Sequence, residues 1–317
     1  MSTLPANEPT CVDPDDPADP AHARGVELVI EGRPRDVGSI VVARILPSPR
    51  RRMVGPFVFL DHMGPVVLAP GVGFDVRPHP HIGLSTVTYF LAGENVHRDS
   101  LGTVQANRPG DINLMTAGRG VVHSERADPA FRAAGGEMHG VQIWLALPDD
   151  HEDDPPSFEH HPEATLPAIA PAPGVTGRVL LGAAFGARSP VRHPSAPLLV
   201  DLRLDGGAGL ELPAELADDA PARAVFVIDG ALEVGGETLA VNQLGVLCGR
   251  SAEVSASGPT RAMLLGGPPL PPRFIEWNFV ASSRERIEQA RDRWKARQFP
   301  VIPTDDQEFI PWPELLR

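Results

Sequence analysis

Short apolar runs separated by turn residues fill the first half of the chain after its first 25 residues. Each run joins β-branched or aromatic side chains over a length typical of a strand. These runs are residues 26–30, 39–46, 57–60 and 85–91. Farther on, Val141, Ile143 and Leu145 alternate with other residue types, a period of two that indicates a strand with two different faces. The pattern predicts an all-β first domain.

A second series of short apolar runs follows, and it resembles the first. Its candidate strands are residues 178–181, 198–204 and 224–228. Residues 87–93 and 224–230 are loosely similar, and each copy is followed by a turn and another apolar strand. Repeated all-β units of this size favour two small barrels that arose by duplication.

A helical period appears only near the end of the chain. Ser282 and Glu285 have the spacing of a capping box, which would begin a helix there. Apolar side chains then recur on one helical face, at Ile287, Ala290 and Trp294. Two prolines, at 300 and 303, stop this pattern, and the last residues are predicted to pack as an extended arm.

Composition divides the chain into five predicted parts. The first 25 residues are acidic, rich in proline and without an apolar period, which predicts disorder. A second acidic, proline-rich stretch predicts an interdomain linker whose histidines, His151, His160 and His161, are solvated. The predicted parts are a tail at 1–25, an N-terminal domain at 26–150, a linker at 151–173, a C-terminal domain at 174–270, and a helix with an arm at 271–317.

Charge and cysteine content exclude several classes of protein. The formal net charge of -13 disfavours direct binding to nucleic acid, which depends on clustered Lys and Arg. Two cysteines cannot form a disulfide framework. No apolar run has the length of a membrane span, and the start lacks a signal-peptide pattern. We therefore expect a cytoplasmic protein that binds neither nucleic acid nor membrane.

Metal-ligand residues concentrate in one part of the sequence. His79 and His81 form an H-x-H pair, and His123 and Glu125 form an H-x-E pair. Residues two apart on a strand share a face, so each pair could reach one ion. Three nitrogens and a carboxylate suit a first-row metal better than calcium or magnesium. The alternative is that these are polar groups at a barrel rim. Prolines on both sides of His79 predict that its strand lies at a barrel mouth or edge.

Longer motifs around these pairs resemble a known family. The spacing of His79 and His81 between Gly73 and Gly93 is similar to the first cupin motif, although Ser85 and Thr86 stand where a glutamate is usual. Five ordered segments resemble the pirin family of two-barrel cupins. They are residues 97–102, 109–111, 115–125, 139–144 and 276–280. The resemblance extends from about residue 26 to residue 313, nearly all of the chain outside the tail.

The resemblance implies a fold and a metal site. It implies two jelly-roll-like cupin β-barrels in tandem, with a C-terminal helix and arm. It implies that His79, His81, His123 and Glu125 bind one Fe(II) per chain, with other first-row divalent metals as alternatives. The second strand series has no H-x-H pair, and its His193 stands alone, so a structural, metal-free second barrel is implied.

The resemblance also implies two competing functions. One is a dioxygenase that opens quercetin-type flavonols or similar chelating aromatics, with Glu125 as general base for the substrate hydroxyl. The other is a metal-containing regulator that binds a transcription factor or a metabolic enzyme. The partner would be a small aromatic substrate in the first case and a protein in the second. A monomer is favoured, and the sequence leaves both functions open.

Three further residues near the metal motifs have alternative interpretations. His97 is either a donor behind the metal ligands or a hydrogen-bonded turn residue. Glu137 and Gln142 either line the pocket or have no role in it and are packed or exposed to solvent. The residues alone do not decide between these alternatives.

Overall fold

The computed structural model describes residues 25–213, 222–248 and 251–314. The tail predicted to be disordered therefore lies outside the described residues, apart from Gly25. Within the described ranges, no helix has both the length and the apolar character needed to cross a bilayer.

The first half of the chain contains twelve labelled strands and one short helix. In chain order they are β1 (Val26–Glu31), β2 (Arg33–Asp36), β3 (Val41–Leu46), β4 (Phe57–Leu68), β5 (Val76–His81), β6 (Leu84–Ala92), β7 (Asn95–Asp99), β8 (Val104–Asn107), β9 (Ile112–Thr116), β10 (Val121–Ala127), α1 (Pro129–Ala134), β11 (Gly136–Ala146) and β12 (Ser157–His161). The alternating residues Val141, Ile143 and Leu145 lie within β11, which confirms that strand.

The second half contains the remaining strands and the C-terminal helix. They are β13 (Ala168–Ala172), β14 (Val175–Leu181), β15 (Ala183–Ala184), β16 (Ala187–Arg188), β17 (Leu198–Leu204), β18 (Gly209–Pro213), β19 (Ala222–Asp229), β20 (Ala231–Val234), β21 (Glu237–Ala240), β22 (Gln243–Leu247), β23 (Ser251–Ser255), β24 (Thr260–Gly267), β25 (Phe274–Glu276), β26 (Phe279–Ala281) and α2 (Arg284–Lys295).

The two halves repeat one strand order. The first barrel joins a seven-stranded sheet, β12-β9-β6-β11-β4-β3-β2, to a four-stranded sheet, β5-β10-β7-β8. The second joins β1-β22-β19-β24-β17-β14-β13 to β18-β23-β20-β21. The similar segments seen in the sequence lie largely in β6 and β19, which occupy the same position in the two large sheets. Two cupin barrels in tandem, as predicted, are confirmed.

The strands at the ends of each half make pairings that the sequence did not indicate. β1 precedes the first barrel in the chain but pairs with β22 of the second. β12 and β13, which both lie in the predicted linker, pair with β9 and β14 respectively. The prediction that His160 is solvated holds in part, because its side chain is 26% exposed and its Nδ1 lies 2.7 Å from Asn113 Oδ1. The limits of the domains stay a prediction.

A shared apolar core joins the two barrels. One buried cluster contains Ile143 of β11 and Phe226 of β19, so the two large sheets pack on each other. A polar link crosses this interface, where Tyr89 donates to Asp201 at 2.9 Å. Arg261 donates twice to the same carboxylate, at 2.9 and 2.6 Å, and so satisfies a charge that is almost fully buried.

The C-terminal helix begins one residue later than its capping pattern predicts. Ser283 is the N-cap, and its hydroxyl accepts from the backbone amide of Arg286 at 3.4 Å. The prediction that Ser282 starts the helix was wrong, because its hydroxyl donates to the buried Glu152 at 2.7 Å. The predicted apolar face is confirmed, and its buried residues are Ile287, Ala290 and Trp294.

The segment after the second barrel returns to pack on the first. Its aromatic residues form a cluster with Ile82 and Val122, next to the predicted metal motifs. Gly83 permits this close approach, because it has a φ of +65° and a Cβ there would lie 2.1 Å from Val280 O. The amide of Ile310 donates to Pro78 O at 2.8 Å, which covers the edge of β5. β5 ends one side of its sheet, as its prolines predicted.

Candidate metal centre

Antiparallel pairing of β5 and β10 brings three of the predicted ligands together. His79 lies opposite His123, and His81 lies opposite Val121. Because residues two apart share a face, both β5 histidines point to the side on which His123 lies. One ligating nitrogen from each histidine lies within 4.8 Å of the others. The three side chains are 6%, 1% and 2% exposed, so the cluster is buried.

Backbone carbonyls fix the protons of His79 and His81. His79 Nδ1 lies 2.8 Å from Arg77 O, and His81 Nδ1 lies 2.9 Å from Asn278 O. A carbonyl only accepts, so each Nδ1 carries the hydrogen and each Nε2 carries a lone pair. This is the arrangement that holds a histidine ligand in place at metal sites.

The separation of the free nitrogens fits a shared ion. His81 Nε2 lies 3.1 Å from His123 Nε2. Imidazole nitrogens bound at about 2.1 Å to one metal lie roughly 3 Å apart, so the separation matches. Burial lowers the pKa of His79 to about 4 and holds the pKa values of His81 and His123 well below their usual range. The histidines are therefore neutral at neutral pH, as metal ligands must be.

Glu125 lies two residues beyond His123 on β10 and lines the same cavity. Its side chain is buried, and burial raises its pKa to about 7. Its carboxylate is not part of the three-histidine cluster. The structure thus gathers three of the four predicted ligands into one cluster, and Glu125 as the fourth ligand stays a prediction.

A second pair of buried polar side chains lies behind His123. His97 Nδ1 is 3.4 Å from His123 Nδ1, and His97 Nε2 is 3.0 Å from Asp99 Oδ2. The structure thus agrees with the first alternative for His97, a position behind the metal ligands, because His97 contacts the ligand candidate His123. The sequence signal for this contact was weak, because β7 and β10 become neighbours only in the folded sheet.

The histidines open onto a cavity of about 400 Å³ with aromatic and charged walls. Phe59 and Trp144 stack with ring centroids 4.0 Å apart. Arg44 lies over the Phe59 ring at 4.5 Å and makes two hydrogen bonds to Asp61, at 2.8 and 2.7 Å. The volume falls within the range of about 300–1,000 Å³ that is typical of small-molecule sites.

Part of this cavity wall comes from beyond the second barrel. Trp277, Asn278 and Ile310 line the cavity, and sequence reasoning did not assign them to the site. Gln142 is also a lining residue, which agrees with one of its two interpretations. Asn278 acts through its main-chain oxygen, so its side-chain identity carried no signal.

His193 connects the two barrels and lies outside the metal cluster. Its Nε2 is 2.9 Å from Ser85 Oγ in the first barrel, and burial lowers its pKa to about 3. Among the residues that the structure describes, His79, His81 and His123 are the one group with the geometry of a metal site.

Two barrels with this strand order, one of them with inward-facing histidines, define a two-domain cupin. Comparison with known families agrees. Residues 39–145 match the family described as Pirin, and residues 199–300 match the Pirin C-terminal cupin domain. The chain belongs to the pirin family.

Individual relatives cover most of the chain. It is 46% identical to a pirin-like protein of Caulobacter vibrioides, over 91% of this chain and 100% of the relative. A crystal structure of quercetin 2,3-dioxygenase from Acinetobacter baumannii aligns with a TM-score of 0.83 and 35% identity, over 91% of this chain and 95% of that chain. A second structure with that name and organism aligns at 0.81 and 28%, over 87% and 98%. These relatives and the three-histidine cluster imply a divalent metal cofactor.

Proposed function

We propose that this protein is an iron-dependent dioxygenase that opens quercetin-type flavonols or similar chelating aromatics. The observation that carries the proposal is the three-histidine cluster at a cavity of about 400 Å³ with stacked aromatic walls. The 35% identity to a structure named quercetin 2,3-dioxygenase supports the same reaction class.

In this proposal one Fe(II) binds per chain, at His79, His81, His123 and Glu125. Three neutral nitrogens and one carboxylate are ligands that suit iron(II). The ion would supply a Lewis acid with open coordination positions for a substrate oxygen and dioxygen. The metal belongs to the N-terminal domain, residues 26–150, and the C-terminal domain, residues 174–270, holds none.

The cavity walls orient a flat substrate toward the histidines. The stacked pair of Phe59 and Trp144 gives a planar apolar surface against which an aromatic ring can pack. The adjacent ion pair of Arg44 and Asp61 supplies polar atoms at the same wall for substrate hydroxyl groups. Trp277 and Ile310 add apolar surface to the cavity wall, against which the substrate can also pack.

Glu125 is the proposed general base. In this role Glu125 would shift from ligand to general base. Burial raises the pKa of its metal-free side chain to about 7, which favours its taking a proton. The carboxylate can then take the proton of the substrate hydroxyl. Glu125 lines the same cavity as the three histidines, which supports this role.

The test is turnover of quercetin by the purified, iron-loaded protein in air. The proposal predicts loss of the flavonol absorption, uptake of dioxygen, and both atoms of labelled dioxygen in the product. His81→Ala should abolish turnover, and His193→Ala, which alters a buried histidine outside the cluster, should not.

Failure of turnover at full iron content would contradict the enzyme proposal. It would favour the alternative function, a metal-containing regulator that binds a transcription factor or a metabolic enzyme. Capture of a defined protein partner that depends on iron and is lost in His81→Ala would then support that alternative.

A further inference from the structure

Asp99 is a buried carboxylate held in one orientation behind the metal cluster. Its Oδ1 accepts from the backbone amides of Leu101 and Thr103, at 2.9 and 3.0 Å. Its Oδ2 lies 3.0 Å from His97 Nε2, and the side chain is fully buried. Three contacts therefore fix which oxygen faces His97.

The direction of hydrogen bonding follows from this carboxylate. An ionised carboxylate only accepts, so His97 Nε2 carries a hydrogen, and in the neutral imidazole Nδ1 then carries a lone pair. That lone pair faces His123 Nδ1 at 3.4 Å, which must then carry a hydrogen. The lone pair of His123 is left on Nε2, the atom 3.1 Å from His81 Nε2.

We propose that Asp99 and His97 are positioning residues that fix the tautomer of His123, so that its Nε2 lone pair faces the metal. The inference rests on the proposed metal site. Main-chain carbonyls fix the tautomers of His79 and His81. His123 is therefore the ligand candidate whose tautomer depends on side chains. Phe158 stacks on His97, with ring centroids 4.5 Å apart, and holds the plane of that ring.

Asp99→Asn reverses this chain of hydrogen bonds with little change in shape. The amides of Leu101 and Thr103 still require an acceptor, so the new NH₂ group faces His97 and donates to its Nε2. The His97 hydrogen then moves to Nδ1, and the His123 hydrogen moves to Nε2, where it blocks the metal. We expect the affinity for Zn(II), used as a diamagnetic probe, to fall about 10- to 100-fold.

Substitutions at His97 separate tautomer control from packing. His97→Gln can donate to Asp99 through its NH₂ group and accept from His123 through its oxygen, so it should keep Zn(II) affinity within a few-fold. His97→Phe keeps the contact with Phe158 but has no acceptor, and it should lose about 10- to 100-fold. His193→Gln and His193→Phe are the matched controls at a buried histidine outside the cluster, and should bind Zn(II) like the parent.

A second readout reports the tautomer itself. Long-range ¹H–¹⁵N spectra of the metal-free protein, labelled at histidine, should show His123 protonated at Nδ1 in the parent and at Nε2 in Asp99→Asn. If the parent binds Zn(II) but Asp99→Asn binds it equally with an unchanged tautomer, the inference is overturned and the metal site stands. If the parent itself fails to bind Zn(II), both are overturned.

Discussion

The two barrels share a strand order and differ in what fills the equivalent strand pair. In the first barrel, β5 and β10 carry His79, His81 and His123. In the second, the corresponding strands β18 and β23 carry Leu212 and Val254, which are 0% and 1% exposed in an apolar cluster. One fold thus supports either a closed apolar core or a buried three-histidine cluster, and the side chains on two strands differ accordingly.

This difference has an energetic consequence. Leu212 and Val254 stabilise their barrel by burial of apolar surface. The first barrel instead buries three imidazoles and the carboxylate of Glu125, whose pKa values are shifted by loss of hydration. A bound cation would offset that cost, so we expect the first barrel to depend on metal and the second to be independent of it.

The largest expected effect comes from making the first barrel resemble the second. His81→Leu replaces a ligand nitrogen by an apolar side chain, and iron affinity should fall more than about 100-fold, the upper end of effects seen for outer-shell partners. Elemental analysis should show iron lost while the circular dichroism spectrum stays native. Full iron content in this variant would remove the central difference between the barrels.

The pH dependence of the metal-free protein should also expose the difference. Burial raises the pKa of Glu125 from 4.5 to about 7, so the native state keeps this proton to a higher pH than the unfolded chain does. The unfolded state therefore binds fewer protons between these pH values, and stability attributable to this group falls as pH rises through that window. The loss should be about 3 kcal/mol.

Glu125→Gln is neutral at every pH and provides the comparison. Denaturant unfolding of the metal-free proteins at pH 4.5 and pH 8 gives the difference between parent and variant. The free energy of unfolding of the variant should rise relative to that of the parent as pH rises. If the difference between the two free energies does not depend on pH, the pKa of Glu125 is not raised by burial.

The same variant should weaken metal binding less than loss of a histidine does. Glu125→Gln keeps the shape of the side chain but removes the negative charge of the proposed fourth ligand. We expect iron(II) affinity to fall about 10- to 100-fold in a chelator competition. Unchanged affinity would remove Glu125 from the ligand set and leave the three-histidine cluster in place.

The smallest expected effect concerns the cover of the first barrel. Arg126 on β10 donates to Asp305 at 2.7 and 2.8 Å and to Glu308 at 2.9 Å. These bonds hold the C-terminal segment against β10, the strand that carries His123. Arg126→Ala should lower the free energy of unfolding by about 1 kcal/mol and speed proteolysis near residue 305. Arg291→Ala, whose pair with Asp292 is local, is the matched control and should do neither.

Sequence reasoning found the features that depend on local periodicity. The strand period of two brought His79, His81 and His123 to one face, and the helical period gave the buried face that includes Trp294. The helix start was misplaced because Ser282 has the capping-box spacing to Glu285, whereas Ser283 is followed three residues later by Arg286. The buried carboxylate of Glu152 accepts from Ser282, which is a tertiary contact.

Features that depend on long-range pairing were missed. β1 pairs within the second barrel, although it precedes the first barrel in the chain. β12 pairs within the first barrel, although it lies in the predicted linker. The cavity wall at Ile310 and the hydrogen bond from His81 to the carbonyl of Asn278 come from a segment beyond the second barrel. A main-chain acceptor leaves no trace in the sequence, so this contact could be found only in the fold.

The central claim is that one metal ion binds in the first barrel and none in the second. A crystal of the protein grown with Fe(II), with diffraction data collected on both sides of the iron absorption edge, tests it directly. The account predicts one anomalous peak per chain, at bonding distance from Nε2 of His79, His81 and His123, with the Glu125 carboxylate as fourth ligand. A peak among the apolar residues of the second barrel, or no peak in protein that contains iron in solution, would contradict it.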